Sequence, residues 1–229
     1  MNSILQIGIF PVILTLCAYQ IGLICQRKFR SPIFNPILIA VGIVLLFMTL
    51  TGLRNDTYQA GTGAISWLMT PATVCLSIPM YEHYQILRKK IKAITAGIIS
   101  GSLSCLVTVL IFAAAAGFDW RLTVSLLPKS VTSAIGVPLS ELSGGIGSIT
   151  TAAIIFTGII ANSLSPLLFR LFRLNDEVAR GVALGTSGHV IATAKANELS
   201  PLTGAVSSLS LVIAGLLTAV VFPLLVRLL

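Results

Sequence analysis

The chain has 229 residues, of which 55% are hydrophobic and only 10% are Asp, Glu, Lys or Arg, where a soluble domain carries roughly a quarter charged residues. Fifteen Lys and Arg against seven Asp and Glu give a formal net charge of +8, but the basic residues stand at the ends of apolar runs and not on a solvated face, which argues against nucleic acid as a partner. The composition also excludes a soluble enzyme, a disordered tail and a disulfide-built module, and leaves a polytopic membrane protein whose solvent is the lipid bilayer. Cys17, Cys25, Cys75 and Cys105 lie in or beside apolar runs without metal-ligand spacing, as small buried hydrophobes do.

In chain order, Ile4 to Ile24 reads as a first span, followed by Arg27, Lys28 and Arg30. Basic residues after the span and none before it put the N-terminus outside. Ile33 to Leu53 returns to a small polar loop at Arg54 to Tyr58. Ala64 to Tyr81 comes back in, interrupted by Pro71 and Pro79, and leads to the basic cluster Arg88, Lys89, Lys90 and Lys92. Ala93 to Ala116 goes out again. These four spans form an expected N-terminal bundle over residues 1–118.

The second half alternates interrupted and clean segments. Leu122 to Gly147 is apolar but broken by Pro128, Lys129, Pro138 and a glycine cluster; Ser148 to Phe169 is clean. Val182 to Leu199 is half polar and holds His189 and Lys195; Gly204 to Val226 is clean. Shifting the chain by 57 residues aligns 119–172 with 176–229 without a gap, and thirteen of the 54 positions are identical. Asp119/Asp176, Ser130/Ser187, Glu141/Glu198, Gly158/Gly215 and Pro166/Pro223 are among them. Shared composition gives about four or five, so an internal repeat is expected, with units at 119–175 and 176–229. The arginines between Arg170 and Arg180 favour the cytoplasmic side. The expected fold is therefore all-α, with about six spans and two re-entrant or broken hairpins in an inverted repeat.

Polar, non-helical backbone at membrane depth is tolerated only beside protein or a water-filled cavity, and paired broken helices mark transporter substrate sites. The first break offers Lys129, Ser130, Thr132 and Ser133; the second offers Thr186, Ser187, Gly188 and His189. Freed backbone N–H groups, hydroxyls and one cation describe a site for a small organic anion. Asn162, within a clean span, and Lys195 are secondary candidates. Each has a bland counterpart. Lys129 and Lys195 can snorkel, His189 can be a satisfied buried histidine, and Ser and Thr in apolar helices often bond only the carbonyl one turn back. No catalytic motif, cofactor loop or metal cluster is legible, so neither an enzyme nor a cofactor is expected. Gly97, Gly101 and Ser104 form a small-residue face suited to helix packing, and the sequence leaves a homo-oligomer open.

The strings PATVCLSIPMYEHYQILRKK, LLPKSVTSAIGVPLSELSGGIGSI and ARGVALGTSGHVIATAKANEL closely resemble the LrgB/CidB family over nearly the whole chain. LPKSVT and GTSGH are its specific parts. The resemblance implies a multi-pass protein of the bacterial plasma membrane encoded with a holin-like LrgA/CidA partner. It further implies either antiholin-like modulation of murein hydrolases and autolysis, or transport of a short monocarboxylate such as pyruvate, glycolate or lactate. Val190 and Ile191 depart from many relatives, which unsettles substrate identity.

Overall fold

A computed structural model describes residues 9–29 and 35–228. Residues 4–8 of the first expected span, Arg30, and 33–34 of the second span lie outside the described residues. Every regular element among the described residues is a helix: α1 (Phe10–Phe29), α2 (Pro36–Thr51), α3 (Asn55–Gly61), α4 (Gly63–Cys75), α5 (Ser77–Glu82), α6 (Tyr84–Ala116), α7 (Trp120–Leu126), α8 (Ser133–Leu142), α9 (Gly147–Leu171), α10 (Glu177–Leu199) and α11 (Pro201–Leu228). Four of them, α1, α6, α9 and α11, are long and apolar enough to cross a membrane. The second expected span is a helix of 16 residues, and the third is split into α4 and α5. Pro79 accounts for the split. It has no N–H, and its ring collides with the carbonyl four residues back, which belongs to Cys75, the last residue of α4.

The chain divides into two compact units, residues 1–75 and 76–229. In the first unit α1 lies against α2, with Ala18, Ala40 and Val44 at its core. Gly22 permits the approach, since a Cβ there would stand 2.8 Å from the Cα of Pro36. Asn35 caps α2 by accepting from the Ile37 N–H at 2.9 Å. Pro36 follows at the first turn, and Gly52 closes the helix at φ 66°, which is the favoured asymmetry of helix ends. Thr15 donates to the Pro11 carbonyl, so the Tyr58 hydroxyl donates to Thr15 at 2.7 Å.

The second unit holds α5 to α11, and α6 packs here against α10 and α11. At 33 residues α6 is roughly 50 Å long, some 20 Å more than a hydrocarbon core. Its surplus is the stretch carrying Arg88, Lys89, Lys90 and Lys92.

Positions 57 residues apart share several local features. Asp119 caps α7 by accepting from Leu122 N–H at 2.9 Å, and Asp176 caps α10 by accepting from Ala179 N–H at 2.9 Å. The link between α7 and α8 ends at Thr132, and the kink in α10 falls at Gly188 and His189. α8 ends at Leu142 and α10 at Leu199; α9 ends at Leu171 and α11 at Leu228. Each of these pairs is 57 residues apart, and Val131 and Thr132 stand at the same spacing from Gly188 and His189.

α10 is the centre of this unit, and small residues bring each neighbour close. A Cβ on Gly181 would meet the Thr203 carbonyl at 2.7 Å, and one on Gly185 would meet Ser210 Cβ at 2.7 Å, so α11 lies on that face. Val182 stands 3.0 Å from where a Cβ of Gly97 would be, and Thr186 Oγ1 3.1 Å from that of Gly101, so α6 lies on a second face. The glycine face expected to pack a partner helix is thus occupied by this chain's own α10.

Candidate functional site

The kink of α10 is held from both directions. Gly188 has φ −130° and ψ 17°, and His189 has φ 42° and ψ −137°, a conformation that costs a non-glycine residue about 1–3 kcal/mol. A Cβ on Gly188 would lie 2.5 Å from those of both Ala161 and Ala192, so the break needs glycine there. Side-chain bonds just beyond the kink tie it to its neighbours. Thr193 donates to the His189 carbonyl at 2.8 Å, and the Ser207 hydroxyl donates to Thr193 at 2.8 Å. Asn162 on α9 donates to the Ile191 carbonyl at 3.0 Å. The His189 ring, 5% exposed, reaches α9 and bonds the Ile154 carbonyl at 2.9 Å through Nε2. A carbonyl only accepts, so Nε2 carries the hydrogen. The ring fits because residue 158 is glycine; a Cβ there would lie 2.8 Å from His189 Cε1.

The first break is organised differently. Ser125 donates to the Arg121 carbonyl and accepts from Ile146 N–H at 2.7 Å, while Thr150 donates to Ser140 at 2.8 Å. These buried hydroxyls tie α7, α8 and α9 around the turn at 143–146. The link from Leu127 to Thr132 is then left facing α6, α10 and α11 across a cavity of about 10 Å³, room for one water. Ser130 and Val131 of the link line it, with Ser102 and Cys105 of α6, Thr186 of α10 and Thr218 of α11. Ser102 and Ser130 are 5% and 9% exposed, and neither hydroxyl finds a hydrogen-bond partner among the described residues; Ser208 on α11, 1% exposed, is a third such hydroxyl but does not line this cavity. An unpaired buried hydroxyl costs about 1–3 kcal/mol, so two of them converging on one polar cavity calls for a ligand or water.

Of the residues expected at the site, Ser130 and Thr186 come together at this cavity. The others do not line it. Lys129 is half-buried and makes no ion pair among the described residues. Thr132 is half-buried at the start of α8 without a side-chain cap bond, and Ser133 is exposed. Ser187 donates back to the Ala183 carbonyl at 2.6 Å. Gly188, His189 and Asn162 build the kink. Lys195 pairs with Glu198 at 2.8 Å. Sequence reasoning missed Ser102, Cys105 and Thr218. Their signal is faint: polar or small residues inside apolar helices, without the glycines and prolines that marked the breaks.

The second feature at α10 is electrostatic. The Asp176 carboxylate accepts from Ala179 N–H and faces Lys90 at 3.1 Å. Those two contacts, the backbone one first, hold its carboxyl below the ordinary range. Beside this pair a groove of about 830 Å³ opens along the seam of α6 and α10, and Lys89 and Lys92 also line it.

Fold and site together define a helical membrane protein in which a broken segment and a kinked helix meet at a polar cavity. The chain belongs to the LrgB-like family, which it matches over residues 15–228. It is similar to the "Antiholin-like protein LrgB" of Bacillus mycoides (strain KBAB4), of Bacillus cereus (strain B4264) and of Bacillus anthracis (strain CDC 684 / NRRL 3495). It is 33% identical to each over 216 residues, covering 94% of this chain and 94% of the relative. The resemblance carried by the LPKSVT and GTSGH strings is borne out. No solved structure matches the chain.

Proposed function

We propose that the protein moves a small monocarboxylate, of the pyruvate, glycolate or lactate class, across the bacterial plasma membrane together with an LrgA-like partner. In this reading six spans and two interrupted segments, related by inversion, keep the N-terminus outside. The single observation that carries it is the convergence of Ser130, from one break, and Thr186, from the other repeat unit, on a cavity where two buried hydroxyls lack partners. Hydroxyls that donate to a carboxylate make bonds worth about 1.5–3 kcal/mol, and Lys129, next to Ser130 in the chain, supplies compensating charge. The cavity holds a water, whereas a six-heavy-atom anion needs on the order of 100 Å³, several waters' share of volume. The conformation is therefore a closed one, and transport requires the repeat units to shift against their neighbours.

The test is uptake of labelled pyruvate, glycolate and lactate by proteoliposomes holding the purified protein, with and without the LrgA-like partner. Saturable uptake that falls at least ten-fold in Ser130→Ala is expected. No uptake of any of the three in either preparation sinks the reading. The names of the relatives, antiholin-like proteins, favour a second reading, in which such a role acts on murein hydrolases. It predicts altered autolysis in cells lacking the protein even where Ser130→Ala, abolishing uptake, is supplied in its place.

A further inference from the structure

Three contacts set α6 and α10 side by side in parallel: Lys90 with Asp176, Gly97 with Val182, and Gly101 with Thr186. Along this seam the groove of about 830 Å³ is lined on α6 from Lys89 to Ser104, roughly 22 Å of helix rise. Its mouth is basic. Lys89, Lys90 and Lys92 line it against the single acid Asp176, which is paired with Lys90. Its inner end is Thr186, some 16 Å along α6 from the ion pair, about half the depth of a hydrocarbon core. Thr186 also lines the polar cavity on its other side. One side chain therefore belongs to both spaces. It is positioned by its bond to the Val182 carbonyl at 2.7 Å and by the absence of a side chain on Gly101.

We infer that this seam is the anion's route to the cavity, entered past Lys89 and Lys92 and closed by Thr186 seated on Gly101. The inference rests on the transport reading for its ligand and adds the route and the gate. The lysines raise the local concentration of anions at the mouth. The wall behind them is small and apolar (Ala93, Gly97, Val178 and Val182 among others), so it holds no acid to repel a carboxylate on the way in. The two unpartnered hydroxyls, Ser102 and Ser130, lie immediately beyond the gate and give the anion its first strong contacts.

Cys105 lines the cavity and is a free thiol, which makes it a reporter that does not depend on transport. In the full-length protein carrying Cys17→Ala, Cys25→Ala and Cys75→Ala, in proteoliposomes, the labelling rate of Cys105 is measured with an anionic and a cationic methanethiosulfonate of similar size. The anionic reagent is expected to react several-fold faster, and Lys89→Gln/Lys92→Gln to abolish that preference. Thr186→Ala should speed labelling by both reagents about ten-fold, and Gly101→Val should slow it. The lysine variants lie on an exposed surface and remain informative if Gly101→Val does not fold. Labelling without charge preference, or unmoved by Thr186→Ala, overturns the route. If uptake of pyruvate persists in that case, the transport reading stands without it. If labelling follows the expected pattern while pyruvate is neither taken up nor slows the reaction, the route stands and the carboxylate reading falls.

Discussion

Removing a buried hydroxyl normally destabilises a helical protein, and the two unpartnered serines are expected to break that rule. Ser125 supplies the reference. Its oxygen accepts from Ile146 N–H at 2.7 Å and its hydrogen goes to the Arg121 carbonyl at 2.6 Å. Ser125→Ala strands a partly buried donor, at a cost of about 1–2 kcal/mol. At about 2–4 °C per kcal/mol for a chain of this length, its midpoint should drop by about 2–8 °C. Ser130→Ala and Ser102→Ala strand nothing in the protein, because neither hydroxyl has a protein partner. Their midpoints should stay within about 1 °C of the wild type or rise by about 2 °C, up to roughly 1 kcal/mol of relieved desolvation. Uptake should move the other way: losing one bond to a carboxylate slows it about ten-fold or more, while Ser125→Ala keeps most of it. Thermal unfolding of detergent-purified variants at one scan rate, followed by the fluorescence of Trp67 and Trp120, reads the first half. A fall in Ser130→Ala matching that of Ser125→Ala would refute the reasoning, because the hydroxyl would then be a structural element with a partner.

At position 189 the usual helix ranking should invert. Glycine is about 1 kcal/mol worse than alanine inside a helix, but the φ of 42° at His189 favours glycine, so His189→Gly should melt at least 2 °C above His189→Ala; the opposite order would mean α10 runs through unbroken. Gly158→Val should cost about 2–4 kcal/mol by driving a side chain into the His189 ring, and over 1 kcal/mol of that should vanish in the His189→Gly background when the double-mutant cycle is closed by thermal melts. Asp176→Asn keeps the capping oxygen and removes the charge facing Lys90, a loss of a few tenths of a kcal/mol for so exposed a pair. Because the folded carboxyl titrates below its unfolded value, this contribution is complete above about pH 4 and disappears as pH falls through the folded value. The midpoints of wild type and Asp176→Asn should therefore converge as pH falls through the folded carboxyl's titration, in a series of circular-dichroism melts.

What the sequence made legible is whatever local chemistry determines. The identities at a 57-residue spacing include residues that end helices: Asp119 and Asp176 are both caps, and Leu142 and Leu199 both close their helices. Both breaks were readable for the same reason, since Pro128 and the glycines of GTSGH act on their own backbone. Lys195 carried a bland reading beside the functional one, and Glu198, three residues on, pairs with it. The third span was expected to be interrupted at Pro71 and Pro79, but Pro71 lies inside α4; the cost of Pro79 falls on the carbonyl four residues earlier, and that is where α4 stops.

The direction of a side chain is a different matter, because it depends on residues far away in the chain. The ring of His189 points into α9 because Gly158, 31 positions earlier, leaves room for it, and no window around GTSGH contains that fact. Ser102 and Thr218 present the same difficulty from the other side. A serine in an apolar helix ordinarily donates to the carbonyl one turn back, as Ser187 and Ser210 do here, and so reads as inert. Ser102 makes no such bond among the described residues and lines the cavity together with Ser130 of the link at Leu127 to Thr132. The breaks thus pointed to polar groups in the helical interior, but half of the residues lining the cavity come from the unbroken helices α6 and α11, which no local signal marked.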